Sequence, residues 1–263
     1  SRPPTPRPPR FAPPPAHASG GALRRGPVFF LVQIPDAALA ARTGPGPLAQ
    51  RRRPRHEPRM TPAKRLLDLF FAALLVVLLG PVMLGLVIWL WVKQGRPLFY
   101  VAERMKAPDT PFMLWKLRTM TVVDEDAGVS GGDKATRVTP EGAFLRAKRL
   151  DEFPQLWNII RGDLSFVGPR PPLREYVDRF PEIYGEVLKS RPGVTGLATI
   201  VYHKHETALL ERCATPEETD AVYARNCVPR KARLDLIYQK NRTIWTDFDI
   251  VFQTIGNLVR RSG

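Results

Sequence analysis

The chain has 263 residues, a formal net charge of +15, 28 prolines and only two cysteines. Cys213 and Cys227 show no CxxC or Cys/His spacing, which leaves no disulfide framework and no zinc site. The charge is lopsided: residues 1–60 hold eleven arginines, no lysine, two acids and half of the prolines. The high pI is therefore largely a property of that stretch and is no evidence that the rest binds nucleic acid.

Residues 1–60 scatter Pro and Arg throughout and lack the single apolar block and small-residue cleavage site of a secretory signal. Their composition predicts disorder, because too little apolar surface is available to offset ordering entropy. Met60 stands immediately before the first well-patterned segment, TPAKRLLDLFF, and is read as the true start, with residues 1–59 as upstream sequence. A genuine disordered extension is the alternative.

Residues 69–92 contain no charge. As a helix they would extend about 36 Å, enough to cross a bilayer. Gly80-Pro81 falls in the middle, where proline removes a backbone donor and clashes with the preceding turn. Both flanks are basic, Lys64 and Arg65 before and Lys93 and Arg96 after, and the positive-inside rule keeps both in the cytoplasm. Residues 61–93 are therefore read as a re-entrant membrane helix broken at Gly80-Pro81. A kinked span and a buried soluble helix are the alternatives. Trp89 and Trp91 suit a membrane interface or packing on the following domain.

Short apolar runs at 98–101 and 112–117 read as strands or extended segments, and residues 124–140 as a loop. Residues 144–148 and 155–160 read as helical. The helix spacing of 173–188 is interrupted by Pro181, which gives two short helices. Phe248, Val251, Phe252, Ile255, Leu258 and Val259 form a helical stripe. Thr246 or Asp247 would cap it, and Arg260 and Arg261 would suit its C-terminal end. The fold class is α+β, mainly helical: the membrane helix, then a compact catalytic domain over 94–263 with short strands and amphipathic interfacial helices.

The densest chemistry lies in FLRAKRLDEFPQLWNIIRGDLSFVGPRPP, residues 144–172. Asp151 and Glu152 adjoin Arg146, Lys148 and Arg149, and Pro154 marks a helix start. At a helix N-terminus the dipole and nearby cations favour ionised carboxylates. An ionised carboxylate beside phosphate-gripping cations is what phosphoryl chemistry with an acid nucleophile requires. On the residues alone, ordinary helix capping beside a solvated basic face is the other reading.

These residues resemble the bacterial sugar transferase family, the monotopic phosphoglycosyl transferases that initiate surface-glycan assembly. LDEFPQLWN is similar to LDELPQLxN, GDLSFVGPRP to GDMSxVGPRP, KLRTM to KFRTM, and RPGVTGLA to RPGITGxA, while KRLLD matches the family's membrane entry. The resemblance covers about residues 62–258, in the family's order.

The resemblance implies transfer of a sugar 1-phosphate from a nucleotide sugar, with UDP as the family's nucleotide, to polyprenyl phosphate. Exopolysaccharide, capsule, O-antigen or glycoprotein glycan would follow. Asp151 would be the nucleophile, forming an aspartyl phosphosugar, and Glu152 would orient or deprotonate the acceptor. Magnesium would bind near Asp151. Arg146 would hold phosphate, with Lys116 and Arg118 as further candidates. Pro169, Arg170 and Pro171 would shape the nucleotide-facing side. The implied location is the cytoplasmic face of the bacterial inner membrane, with membrane lipids as further partners and no nucleic acid.

Three departures stand out. Gly80 precedes Pro81 where many members carry Ser, and Arg149 replaces a frequent Ser. The stretch TIVYHKHETALLERC after Ala198 lacks the VNGRN-like continuation, so that region bears on sugar choice. His203 and His205 alone make a weak metal signal. Two other classes compete: a basic membrane-tethered module that grips phosphate or nucleic acid, and a membrane phosphohydrolase that uses water as acceptor.

Overall fold

A computed structural model describes residues 60–123 and 132–262. The expectations for residues 1–59 and for the first part of the 124–140 loop lie outside the described residues.

Thr61 caps the first helix, α1 (Pro62–Gln94), its hydroxyl accepting from the Lys64 amide at 3.3 Å, with Pro62 in the first turn. The helix runs unbroken through Pro81 and stops only at Gly95, where φ is +63°. The expected break at Gly80-Pro81 is therefore no helix end. Proline deletes one backbone bond, and the turns on either side keep theirs. Among the described residues α1 is the one helix long and apolar enough to cross a membrane.

The helix is held at both ends and bare between them. Ala72 packs with Phe112, Leu156, Ile159 and Leu164, whereas Met83 and Leu90 pack with Leu117 and Leu145. Val76, Val77, Leu78, Leu79 and Val82 are exposed. Arg65 donates to the Ile159 and Ile160 carbonyls, and Arg118 donates to those of Gln94 and Gly95. Trp89 meets Phe144 edge-on at 6.4 Å, while Trp91 is exposed.

The run read as a short strand from residue 98 is longer than its apolar part. β1 (Phe99–Ala107) and β2 (Thr110–Leu117) form an antiparallel hairpin with Phe99 opposite Leu117, closed at Pro108-Asp109. Residues Gly132–Arg137, expected as loop, form a 3₁₀ helix. Helix α2 (Pro140–Lys148) is capped by Thr139 and leads through a 3₁₀ turn, Leu150–Glu152, to α3 (Gln155–Arg161).

β3 (Ser165–Val167) pairs in parallel with β4 (Gly193–Thr195). Between them lie α4 (Arg174–Arg179) and α5 (Pro181–Val187), the two helices that Pro181 predicted. The pairing depends on close backbone approach. A Cβ on Gly168 would lie 2.2 Å from the Arg191 carbonyl, and one on Gly193 would lie 2.2 Å from the Gly168 amide. The GPRP and RPGVTG motifs are the two sides of this one crossing.

Helix α6 (Leu197–Leu210), α7 (Pro216–Val222), a π turn (Tyr223–Cys227) and α8 (Val228–Asn241) follow. They surround a core with Tyr176, Tyr184, Leu188, Cys227 and Val228 buried. The last helix, α9 (Ile244–Ser262), begins earlier than the stripe indicated. Its cap is Thr243, whose hydroxyl accepts from the Thr246 amide at 3.1 Å, rather than Thr246 or Asp247. Asp247 is occupied elsewhere: it accepts from Lys64 and from the Tyr238 hydroxyl, both at 2.6 Å. Trp245, Phe252 and Ile255 are exposed on α9.

Candidate active site

Helix α2 ends at Arg149, a non-glycine residue in the left-handed region at φ +55°. Such a conformation is costly and persists where surrounding contacts enforce it. Here it reverses the chain, so that the Leu150–Glu152 turn presents Asp151 and Glu152 to a cavity of about 940 Å³. Lys116, at the end of β2, lines the same cavity.

The two neighbouring carboxylates are treated very differently. Glu152 receives the Arg149 guanidinium through both Nε, at 3.0 Å, and a terminal nitrogen, and it receives Lys116 at 3.3 Å. Arg170 stands 4.0 Å away. Burial would raise its pKa, but Lys116, Arg149 and Arg170 outweigh that and hold it at about 2. Asp151 is buried, with Lys116 4.0 Å from Oδ2 and no hydrogen-bond donor among the described residues. Burial pushes its pKa upward, against the pull of Lys116. This corrects the expectation that dipole and cations hold both carboxylates low. Both residues sit on a 3₁₀ turn before α3, and desolvation dominates at Asp151.

The other candidate residues separate by position. Lys116, Arg118, Arg146, Arg170 and Pro171 line the cavity with Asp151 and Glu152. Arg146 donates through Nε to the Thr119 hydroxyl at 2.8 Å, which leaves its terminal nitrogens for a ligand. Arg118 also fastens the end of α1, since its guanidinium holds the Gln94 and Gly95 carbonyls. Pro169 is buried behind the wall, and its carbonyl accepts from Gly193 at 2.9 Å. It supports the turn that presents Arg170.

A buried acid facing a basic cavity, next to a carboxylate fixed by three cations, is arranged for handling phosphate. The sequence profile described as bacterial sugar transferase matches residues 59–261. The chain belongs to the bacterial sugar transferase family. Two family relatives share 33% identity with it. One is a UDP-glucose:undecaprenyl-phosphate glucose-1-phosphate transferase of Klebsiella pneumoniae, matched over 73% of this chain and 39% of that protein. The other carries the same name in Caulobacter vibrioides, matched over 74% of this chain and 69% of that protein. A third is the UDP-N-acetylgalactosamine-undecaprenyl-phosphate N-acetylgalactosaminephosphotransferase of Aeromonas hydrophila, 29% identical over 76% of this chain and 44% of that protein. The chain thus spans less than half of the Klebsiella and Aeromonas proteins.

Within this sugar transferase fold the residues around Asp151 fit a divalent cation of the magnesium type. Asp151 offers a carboxylate with no hydrogen-bond donor, and no trio of His, Cys, Asp or Glu converges among the described residues. Hard cations of this kind take one or two carboxylates and complete their shell with water and substrate phosphate oxygens.

Sequence reasoning missed a second set of cavity residues. Glu206, Tyr223, Lys231 and Asp235 line the wall formed by α6 and α8. The only signal was an acid and a base four residues apart in KARLDLIYQKN, which reads as an ordinary helix-surface pair.

Proposed function

We propose that the chain transfers a sugar 1-phosphate from a UDP-sugar to a polyprenyl phosphate, through a covalent intermediate on Asp151. The observation that supports this best is the Asp151 carboxylate itself: buried, without a hydrogen-bond donor, and facing a cavity lined by Lys116, Arg146, Arg149 and Arg170. The names of the relatives supply the substrate classes.

Asp151 attacks the sugar-bearing phosphorus, the bond to the UMP oxygen breaks, and UMP leaves with the electron pair. An oxygen of the polyprenyl phosphate then attacks the same phosphorus and releases the Asp151 carboxylate. Lys116, Arg146 and Arg170 bind the diphosphate oxygens and favour charge building up on them. Magnesium beside Asp151 would neutralise diphosphate charge. Glu152, held at about 2, is too weak a base to deprotonate a phosphate monoester. Its second ionisation lies near 6 and is partly complete at neutral pH. Glu152 instead fixes Lys116 and Arg149 in position.

Helix α1 enters and leaves the cytoplasmic leaflet of the bacterial inner membrane, with residues 94–263 on the cytoplasmic face. Support comes from its two ends, both of which grip the same domain while the apolar middle is bare. A helix crossing to the far side would carry one end away from that domain. The exposed Trp245, Phe252 and Ile255 suit the same surface.

The test combines UMP release with intact-protein mass. Lipid-dependent UMP release from a UDP-sugar is expected, and donor with magnesium should leave a phosphosugar adduct on the wild type and none on Asp151→Asn. An adduct that persists in Asp151→Asn reassigns the nucleophile. UMP release without lipid favours hydrolysis. Cysteines placed at Thr61 and Gln94 should both resist an impermeant label in spheroplasts, and labelling of one alone sinks the re-entrant topology.

A further inference from the structure

The α6–α8 wall carries ionisable side chains to which the transfer chemistry assigns nothing. The Lys231 ammonium donates to Glu206 at 2.8 Å and to the Tyr223 hydroxyl at 3.3 Å, and it lies 5.0 Å from the centre of the Tyr223 ring. That occupies two of its three donors. Asp235, one helical turn on, is only 8% exposed and lines the cavity. Among the described residues no donor hydrogen-bonds to its carboxylate, and Lys231 is the one charge that acts on it. Burying a carboxylate without donors costs stability, and burial pushes Asp235 up to about 7. A fold optimised for stability alone would not leave this group so.

Two further observations tie the wall to a ligand. The backbone passes from α7 to α8 through a π turn at Tyr223–Cys227, which sets Tyr223 against Lys231. Such distortions recur at functional sites. Arg170 joins the two halves of the cavity: it stands 4.0 Å from Glu152, and its charge also acts on Lys231. Asp151, Arg170, Glu206, Lys231 and Asp235 all line the one cavity.

We propose that Asp235, Lys231 and Glu206 form the subsite that reads the hydroxyl groups of the donor's sugar, with Asp235 as the hydroxyl acceptor. The proposal rests on the transferase reading and deepens it. A sugar offers a hydroxyl donor on most of its carbons, and an unpaired buried carboxylate accepts up to two of them. The free donor of Lys231 serves a hydroxyl oxygen. Uracil is a poorer complement, because its edge presents two carbonyl acceptors and a single N–H donor to a wall holding two carboxylates. A uronic acid is disfavoured for the same reason. The sugar taken is therefore uncharged at this wall.

The experiment uses the full chain in membrane vesicles, with a UDP-sugar that it turns over and the monodeoxy analogues of that sugar. A site built to bond a hydroxyl rejects the analogue lacking it, so the wild type should disfavour at least one analogue by about 100-fold or more in kcat/KM. In Asp235→Ala that ratio should fall to within about threefold, while other ratios and the UMP inhibition constant stay put. Asp235→Leu keeps roughly the size and removes both the acceptors and the buried anion, so it serves the same test if the alanine variant does not fold. An equal loss for every analogue, a changed UMP constant, or discrimination that survives in the Asp235 variants overturns the subsite. Wild-type protein that releases no lipid-dependent UMP from any UDP-sugar overturns the transferase reading and the subsite together. Turnover with unaltered ratios overturns the subsite alone.

Discussion

Glu152, with 11% of its side chain exposed, and the buried Asp235 line one cavity, and they are held in opposite ways. Glu152 has Arg149 and Lys116 in hydrogen-bond contact with Arg170 close by, and its pKa falls to about 2. Asp235 has no donor among the described residues and one lysine four residues back, and its pKa climbs to about 7. Burial works in the same direction at both sites. The number of cations in contact decides which way each group moves. A carboxylate that serves as scaffold is saturated by its own protein, whereas one that meets a ligand is left wanting. Asp151 falls on the Asp235 side, with burial raising it and no donor attached.

The sharpest way to break this contrast is to strip Glu152 of a cation. Arg149→Ala leaves a buried anion short of a partner and should cost about 3–5 kcal/mol of stability, read as a fall in denaturation midpoint in detergent. Lys116→Met should do the same and also remove most turnover. Asp235→Asn should move the other way. The Asp235 pKa rises from 3.8 to about 7 on folding, so its penalty is absent below pH 3.8, grows as pH rises, and is complete above 7. The variant should therefore match wild type at pH 3.8 and exceed it by about 4 kcal/mol above pH 7. Glu152 gives the mirror image. Its pKa falls from 4.5 to about 2, so about 3 kcal/mol of stability is present above pH 4.5 and lost as pH falls toward 2. Glu152→Gln should flatten that acid limb, and an unchanged limb refutes the assignment. The smallest effect belongs to the partly exposed pair of Lys64 and Asp247, 14% and 16% exposed. Lys64→Met should cost about 2 kcal/mol.

The sequence was informative wherever local rules decide. Pro181 split 173–188 into α4 and α5, the apolar stripe marked α9, and Asp151 and Glu152 lie together with Lys116, Arg146 and Arg170 in one cavity. Long-range contacts hid the rest. β3 and β4 are three residues each, too short for periodicity, and only the glycine contacts explain their pairing. Asp247 has the side chain of a cap but is claimed by Lys64 and Tyr238, so Thr243 caps instead. The upward shift at Asp151 comes from tertiary burial, which neighbouring residues in sequence do not report. Asp235 was invisible for that reason: its meaning depends on what faces it across the cavity.

The tie between Lys64 and Asp247 also sets a clock. The two residues are 183 positions apart. At roughly 5–20 residues per second, a ribosome needs about 10–40 s to deliver the second after the first. During that wait the apolar helix α1 has been made and its tie to Asp247 has not. Until then α1 is held by contacts completed earlier, those of Arg65 with the Ile159 and Ile160 carbonyls and of Arg118 with Gln94 and Gly95, and α9 adds the last tie.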